Sequence, residues 1–247
     1  MINIQNAVNE ARKYFGFKEY AGNIFEYITQ QSNYIEKYSL LILKEDIGKL
    51  SGFIGYPNDK FTVICINYKR SLGHQNFTLA HELGHYFLHH NNSIDDENIG
   101  TFNKKDPMEN EADRFASMLL YPDEVFINDY KVMIEPIVND LDKLSDKINE
   151  LCHKYCVSYE FMLRKICYKA GTKYEKINNT IKRMRNNSIG NYYDKDFYLA
   201  NSGAIYYQRY TEPYKKLKKN IDILMEQNKI GKAMGESIIY TNELMEE

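Results

Sequence analysis

The residues best suited to catalysis are two histidines four positions apart with a glutamate beside the first: His81, Glu82 and His85. Residues four apart lie on one face of an α-helix, so both imidazoles can bind the same metal ion. Neutral imidazole nitrogens suit Zn²⁺, and the neighbouring carboxylate can take a proton from water at the metal without itself binding the metal. This HExxH spacing predicts a helix that carries a zinc site.

The surroundings of the motif support that prediction. Five of the six histidines fall between residues 74 and 90, within the predicted helix or just before it. An alternating run over residues 61–67 predicts a strand ahead of the helix, and Gly84 permits another backbone to approach closely. His89 and His90 are interpreted as helix-end residues near the negative end of the helix dipole, not as ligands.

A catalytic zinc site needs a third protein ligand, and residues 109–120 contain the best candidate. This stretch has helical periodicity, with an apolar stripe made of four residues: Ala112, Phe115, Ala116 and Leu119. Glu109 lies one turn before the stripe and is predicted to be the third ligand. Asp113 can accept a hydrogen bond from the far nitrogen of a ligand histidine. Glu111 lies elsewhere around the helix and is the second choice of ligand.

These residues resemble the signature of the ImmA/IrrE-type zinc metallopeptidases. The resemblance is specific across residues 74–122 and weaker over residues 20–70 and 123–170. It rests on the HExxH motif, on Glu109-x-x-Ala112-Asp113-x-Phe115-Ala116, and on Leu119-Leu120-Tyr121-Pro122. The sequence departs from the family pattern at His74, where a basic residue such as arginine is expected, and at Asp113, which replaces the commoner asparagine. Neither departure removes a catalytic group.

The resemblance implies a zinc-dependent endopeptidase. One Zn²⁺ per chain would be bound by His81, His85 and Glu109, with Glu82 as the catalytic acid and base. It also implies regulatory cleavage of a helix-turn-helix repressor of a mobile element, a prophage or a stress response, the repressor being a separate protein. Spacing does not choose the residue that stabilises the oxyanion; a tyrosine or histidine from the following loop or helices can serve.

The rest of the chain predicts an α+β fold with a small zincin-like core. Helices are expected over residues 3–15 and 21–30, and strands over residues 38–44, 52–56 and 61–67. A three-stranded antiparallel sheet would pack on the HExxH helix, and an exposed strand beside the metal can bind an extended polypeptide. Further helices are expected over residues 141–157 and 159–169, the second capped by Ser158, with a helix pair over residues 221–246.

Three regions are predicted along the chain. Residues 1–122 form the zincin-like metallopeptidase domain, residues 123–171 a helical extension packed on the catalytic core, and residues 172–247 a basic, tyrosine-rich helical region. The polar stretch over residues 91–108 is expected to be a loop, with an acidic run at Asp95-Asp96-Glu97.

Composition bounds the function further. The chain has 247 residues, 32 of them basic and 34 acidic, so its net charge of −2 does not single out a partner. No apolar run approaches the roughly 18 residues needed to cross a bilayer, and the chain is predicted to be cytoplasmic and free of membrane contact. The four cysteines lack a disulfide-scaffold spacing. Cys152, His153 and Cys156 are interpreted as packed or half-exposed helix residues; the alternative is a second metal site.

Two alternatives to the peptidase stay open. The first is a regulatory protein that sequesters a repressor without cleaving it, although an intact Glu82 argues against a purely structural zinc site. The second is a nucleic-acid-binding protein. Residues 172–220 contain 11 basic and 4 acidic residues together with eight tyrosines, a composition that can bind nucleic acid.

Overall fold

The structure is a computed structural model that describes residues 3–58, 61–89, 106–173, 177, 179 and 217–241. It confirms the α+β class. The described strands are β1 (Leu40–Glu45), β2 (Gly52–Asn58) and β3 (Phe61–Asn67). The described α-helices are α1 (Ile4–Phe15), α2 (Ile24–Thr29), α3 (Tyr34–Tyr38), α4 (Leu72–His89), α5 (Pro107–Leu120), α6 (Asp123–Asp129), α7 (Leu141–Tyr155), α8 (Tyr159–Ala170), α9 (Leu217–Glu226) and α10 (Lys232–Thr241). A π-helical turn (Tyr130–Ile134) and a 3₁₀ turn (Glu135–Ile137) join α6 to α7.

Helix α1 begins and ends with standard capping residues. The side chain of Asn3 accepts a hydrogen bond from the Asn6 amide, and Gly16 ends the helix in the left-handed region at φ 81°. Arg12 then links α1 to α5, because its guanidinium donates to the carbonyls of Lys18 at 2.6 Å and Leu119 at 2.8 Å. The last carbonyls of α5, which have no partner within their own helix, are satisfied in this way.

The three strands lie in the order β1-β3-β2. Strand β3 pairs antiparallel with β2 and parallel with β1. All seven residues of β3 are buried, as expected of a central strand that is apolar on both faces. The two edges differ, since β1 is almost wholly buried while Phe53, Gly55 and Tyr56 of β2 remain partly exposed.

The fully antiparallel sheet predicted from the sequence is wrong in the pairing of β1. The turn after β1 is present, with Gly48 at φ 64° and its amide bonded to Asp46 Oδ1 at 3.1 Å. After this turn, however, β2 does not pair with β1. It lies one strand position away in the sheet, and β3 occupies the position between them. The side chain of Asn67, at the end of β3, holds the crossing loop by donating to the carbonyls of Gly48 at 3.0 Å and Leu50 at 2.7 Å.

Element boundaries also depart from the prediction near β1. Residue Tyr38, expected to begin the strand, ends the short helix α3 instead, which the sequence did not indicate. Ser39 takes a left-handed conformation at φ 48° and separates the helix from the strand. The predicted loop over residues 91–108 extends too far at its end, because Pro107 and Met108 belong to the first turn of α5. Asp106 caps this helix, and Pro107 is its first residue.

Helix α4 lies at the centre of the fold and contacts α1, α2, α5, β2 and β3. At its first turn, a Cβ atom on Gly73 would lie 2.4 Å from the backbone of Val157, so no larger side chain fits there. One turn further on, Asn76 donates to the carbonyls of Gly22 at 2.6 Å and Cys156 at 2.9 Å and accepts from the Ile24 amide at 2.9 Å. These bonds anchor α4 to the segments before α2 and after α7.

Helices α7 and α8 end and begin close to the predicted positions. Cys156 caps α7 in the left-handed region at φ 53°, and the Ser158 hydroxyl caps α8 by accepting from the Phe161 amide at 3.2 Å. In the C-terminal part, Gly235 of α10 packs against Met225 of α9. The division of the chain into three regions stays a prediction.

Some predicted features lie outside the described residues. They include the hairpin tip at residue 59, His90, most of the loop over residues 91–108, most of the basic region over residues 172–220, and the end of the last helix beyond residue 241. In the part of the chain that is described, no helix is long and apolar enough to cross a membrane.

Candidate metal centre

The candidate metal centre lies between α4 and α5. Helix α4 presents His81, His85 and His89 on one face, with ring centroids 4.7 Å and 5.6 Å apart in sequence order. Helix α5 lies against α4 closely enough for the Gly84 backbone to touch Ala112, as the glycine inside the motif indicated. This close packing brings Glu109, in the first turn of α5, within reach of two of the three imidazoles.

The predicted ligand atoms converge on one point. His81 Nε2 and His85 Nε2 are 3.0 Å apart, and the Glu109 carboxylate lies 3.2 Å from each of them. Among the described residues, these three side chains are the one group of three or more potential ligands that lie close together. His85 is almost buried, whereas Glu109 is 45% exposed, so the centre opens to solvent on the α5 side.

Asp113 lies where the sequence placed it, beside the far nitrogen of a ligand histidine. Its Oδ1 accepts a hydrogen bond from His81 Nδ1 at 2.9 Å, which fixes the ring so that Nε2 faces the centre. Burial opposes a charge on His81, but the hydrogen bonds to Asp113 and Glu109 outweigh burial and raise its pKa to about 10. The hydrogen bonds from His81 and His85 lower the pKa of the Glu109 carboxyl.

Glu82 is not part of the converging set and lies beside it. Only 6% of the residue is exposed, and this burial raises the pKa of its carboxyl, partly countered by His81 and His85. A carboxylate with a raised pKa is a better proton acceptor at neutral pH than an exposed one. Its position and electrostatics suit a general base, which is the role that the motif indicated.

Tyr56 is a functional candidate that the sequence did not single out. It lies on β2 within a register irregularity between Gly55 and Asn58, and such bulges often redirect side chains next to active sites. Burial, with a contribution from the Glu82 charge, raises the pKa of Tyr56 to about 12. The phenol therefore stays protonated and can donate a hydrogen bond near Glu82.

The course of β2 explains why Tyr56 lies there. At the start of the strand, Gly52 packs against Thr78 of α4 so tightly that a Cβ atom would lie 2.5 Å from the threonine methyl. Four residues later Tyr56 interacts with Glu82 and Tyr86, which follow Thr78 at successive helical turns. Strand β2 thus runs along the α4 face adjacent to the metal ligands. The sequence signal for this arrangement was limited to the predicted strand over residues 52–56, which does not show where Tyr56 lies relative to α4.

The remaining candidates lie apart from the centre. Glu111, the second choice of ligand, faces His89 with 3.6 Å between its Oε2 and the histidine Nε2. Cys152 and Cys156 are buried within the α7 end, where burial raises the pKa of both thiols, while His153 is exposed. These three are packed or exposed helix residues, which agrees with the interpretation preferred from the sequence.

The donor set fits a divalent transition metal. Two imidazole nitrogens and a carboxylate, with a water position left open, make up a common catalytic zinc coordination. The second nitrogen of His81 is oriented by a carboxylate, as is usual for metal-bound histidine. His81 Nε2, His85 Nε2 and the Glu109 carboxylate oxygens can all act as acceptors, and they repel one another at these distances. A cation or a proton between them removes this repulsion.

The candidate ligands on α4 and α5, the sheet alongside and the buried glutamate are those of a zincin-like metallopeptidase domain. A family model described as the IrrE N-terminal-like domain, of peptidase family M78, matches residues 35–166. The chain belongs to this family. It is also 37% identical over 94 residues to the metallopeptidase ImmA of Bacillus subtilis (strain 168), an alignment that covers 35% of this chain and 50% of the relative. The chain therefore matches about half the length of that relative.

Proposed function

We propose that the protein is a zinc-dependent endopeptidase. The observation that carries this proposal is the convergence of His81, His85 and Glu109 with a buried, non-ligating Glu82 beside them. Membership of a peptidase family and the similarity to a metallopeptidase support it. A Zn²⁺ ion bound by the three side chains would lower the pKa of a water molecule to about 7 and polarise the carbonyl of the scissile bond.

The protein's own groups would then perform the proton transfers and orient the substrate. Glu82 accepts a proton from the attacking water and passes it to the leaving amine, and its raised pKa suits it to both steps. Asp113 holds His81 in the orientation that directs Nε2 to the centre. Tyr56, which is protonated and is influenced by the charge of Glu82, donates a hydrogen bond to the oxygen that gains negative charge during attack.

The substrate backbone would bind along β2. This strand is an edge of the sheet, is less covered than β1, and runs along the α4 face that carries Glu82. An extended polypeptide can pair with the free backbone groups of such an edge, and the pairing would hold its peptide bond over the metal centre. Pro57 lacks an amide hydrogen and limits this pairing at the end of the strand.

For the substrate, we propose a helix-turn-helix repressor encoded by a separate gene, as expected from the family resemblance. The four cysteines among the described residues are free thiols, which supports the cytoplasmic location that such a substrate requires. A repressor-sequestering protein remains the alternative outcome. The nucleic-acid-binding alternative depends on residues 172–220, most of which lie outside those described.

The test uses the full-length protein and a helix-turn-helix repressor chosen from the genes that neighbour its own. The two purified proteins are incubated with one equivalent of zinc, after zinc removal by a chelator, and after zinc is restored. Mass spectrometry should show one defined cleavage that disappears with the chelator and returns with zinc. Repressor that stays intact under all three conditions while binding the protein would support sequestration instead.

A further inference from the structure

His89 is buried next to the metal centre without a hydrogen-bond partner. Its side chain is 2% exposed, and neither ring nitrogen makes a hydrogen bond within the described residues. The carbonyl of Met108 lies near the ring but does not meet hydrogen-bond geometry. Burying an imidazole with both nitrogens unsatisfied is unfavourable, so a group that satisfies one of them would be expected.

Glu111 of α5 lies opposite this imidazole. The 3.6 Å between Glu111 Oε2 and His89 Nε2 is too long for a direct hydrogen bond. It matches the distance between two ligands of one metal ion. With ligand distances of about 2.1 Å and a tetrahedral angle, two ligand atoms lie about 3.4 Å apart.

The pair is separate from the centre already described. Glu109 points to the Nε2 atoms of His81 and His85, whereas Glu111 points to His89, one turn further along α4. The ring of His85 lies between the two positions, with its centroid 5.6 Å from that of His89. Two ions can therefore be bound side by side without sharing a ligand atom.

We propose that His89 and Glu111 bind a second divalent transition-metal ion of the zinc type. One imidazole and one carboxylate are donors that such ions accept, and water would complete the coordination. The partly exposed Glu111, at 35%, gives the ion a route from solvent. With two protein ligands instead of three, this site binds more weakly than the first.

The second ion would join the end of α4 to the first turns of α5. Those are the two helices that carry all the groups of the metal centre, so its binding stabilises their packing. The inference depends on metal binding and not on peptidase activity.

The test is calorimetric titration of Zn²⁺ into the full-length protein that already holds one equivalent of zinc. The wild type should bind a second equivalent, and its thermal unfolding midpoint should rise as that equivalent binds. Loss of an outer hydrogen bond to a ligand typically lowers metal affinity about 10–100-fold. Removing one of two direct ligands, in His89→Gln or Glu111→Gln, should weaken the second event by at least that factor.

The exposed Glu124 on α6 provides a matched control, since Glu124→Gln should leave both events unchanged. Should His89→Gln fail to fold, Glu111→Gln alone decides the outcome, because its side chain is partly exposed. The proposal is overturned if the wild type binds a single equivalent, or if the second event is the same in Glu111→Gln as in the wild type.

Discussion

Gly84 of α4 and Ala112 of α5 are in backbone contact: a Cβ atom at position 84 would lie 3.0 Å from the Cα atom of Ala112. The two candidate histidine ligands, His81 and His85, lie on either side of this contact along α4, and Glu109 lies one turn before it on α5. The separation of the helices at this point therefore sets the distances within the metal centre.

Gly84→Ala should weaken zinc binding, with a net loss of folding stability of at most about 2 kcal/mol. The added methyl forces the helices apart by a few tenths of an ångström, and overpacking of this kind costs about 1–3 kcal/mol. The better helix propensity of alanine offsets about 1 kcal/mol of that loss. Displacing Glu109 should lower zinc affinity by about tenfold or more, as changes around metal ligands typically do.

Chelator competition measures the change in zinc affinity, and urea unfolding measures the change in folding stability. Gly231→Ala serves as the control, since a Cβ atom there meets nothing within 4 Å. Equal zinc affinity in Gly84→Ala and the wild type would show that the helix contact does not govern the site.

The ligand assignment predicts how strongly three single substitutions should each reduce zinc binding. His85→Ala removes one of three ligands and should abolish stoichiometric zinc binding. Glu109→Gln should impair binding of the first equivalent strongly, whereas Glu111→Gln should leave it intact, because Glu111 faces His89. Metal analysis of the purified variants decides the order. Full zinc occupancy in His85→Ala, or a greater loss in Glu111→Gln than in Glu109→Gln, would contradict the assignment.

Zinc binding should release a proton from His81. In the metal-free protein its pKa is raised to about 10 from an ordinary value of 6.5. The ring is therefore protonated at pH 7–8, and the stability that this proton contributes is lost as pH rises through about 10. Since the metal must displace the proton, zinc affinity should rise with pH across the window from 6.5 to about 10.

Calorimetry in buffers of different ionisation enthalpy counts the proton released. Asp113→Asn removes the carboxylate that raises this pKa, so fewer protons should be released at pH 8. An unchanged proton count in this variant would show that Asp113 does not control the charge of His81.

Local patterns in the sequence were enough to predict the two helices and the three side chains that converge between them. The apolar stripe of α5 orients Glu109 toward α4, and the HExxH spacing orients both imidazoles, so these parts depend on helical periodicity alone. The parallel pairing of β1 with β3 was missed because a turn at Asp46–Gly48 signals reversal but not which strand becomes the neighbour. Tyr56 was missed for a similar reason, since a bulge depends on pairing across the sheet.

Tyr56→Phe should lower kcat and leave zinc binding unchanged. The phenol hydroxyl is the group proposed to donate to the oxyanion, and loss of one such donor typically costs about 10²–10³-fold in kcat. The substitution keeps the ring that packs at the end of β2. Steady-state kinetics on a peptide spanning the cleavage site measure kcat and KM separately. A variant with unchanged kcat and a raised KM would assign Tyr56 to substrate binding.

The central claim is that Glu82 transfers protons and does not bind the metal. Glu82→Gln keeps the size of the side chain but cannot accept a proton, so zinc content and repressor binding should be retained. Cleavage should fall by about 10²–10⁴-fold, the usual contribution of a general acid or base.

The most direct measurement follows cleavage of the repressor from a neighbouring gene by wild type and by Glu82→Gln, on gels and by mass spectrometry, with zinc content determined in the same samples. The expected result is a defined cleavage by the wild type and almost none by the variant at equal zinc occupancy. If instead neither protein cuts the repressor and both relieve repression equally in cells, the protein acts on this partner by sequestration and the peptidase proposal is wrong for it.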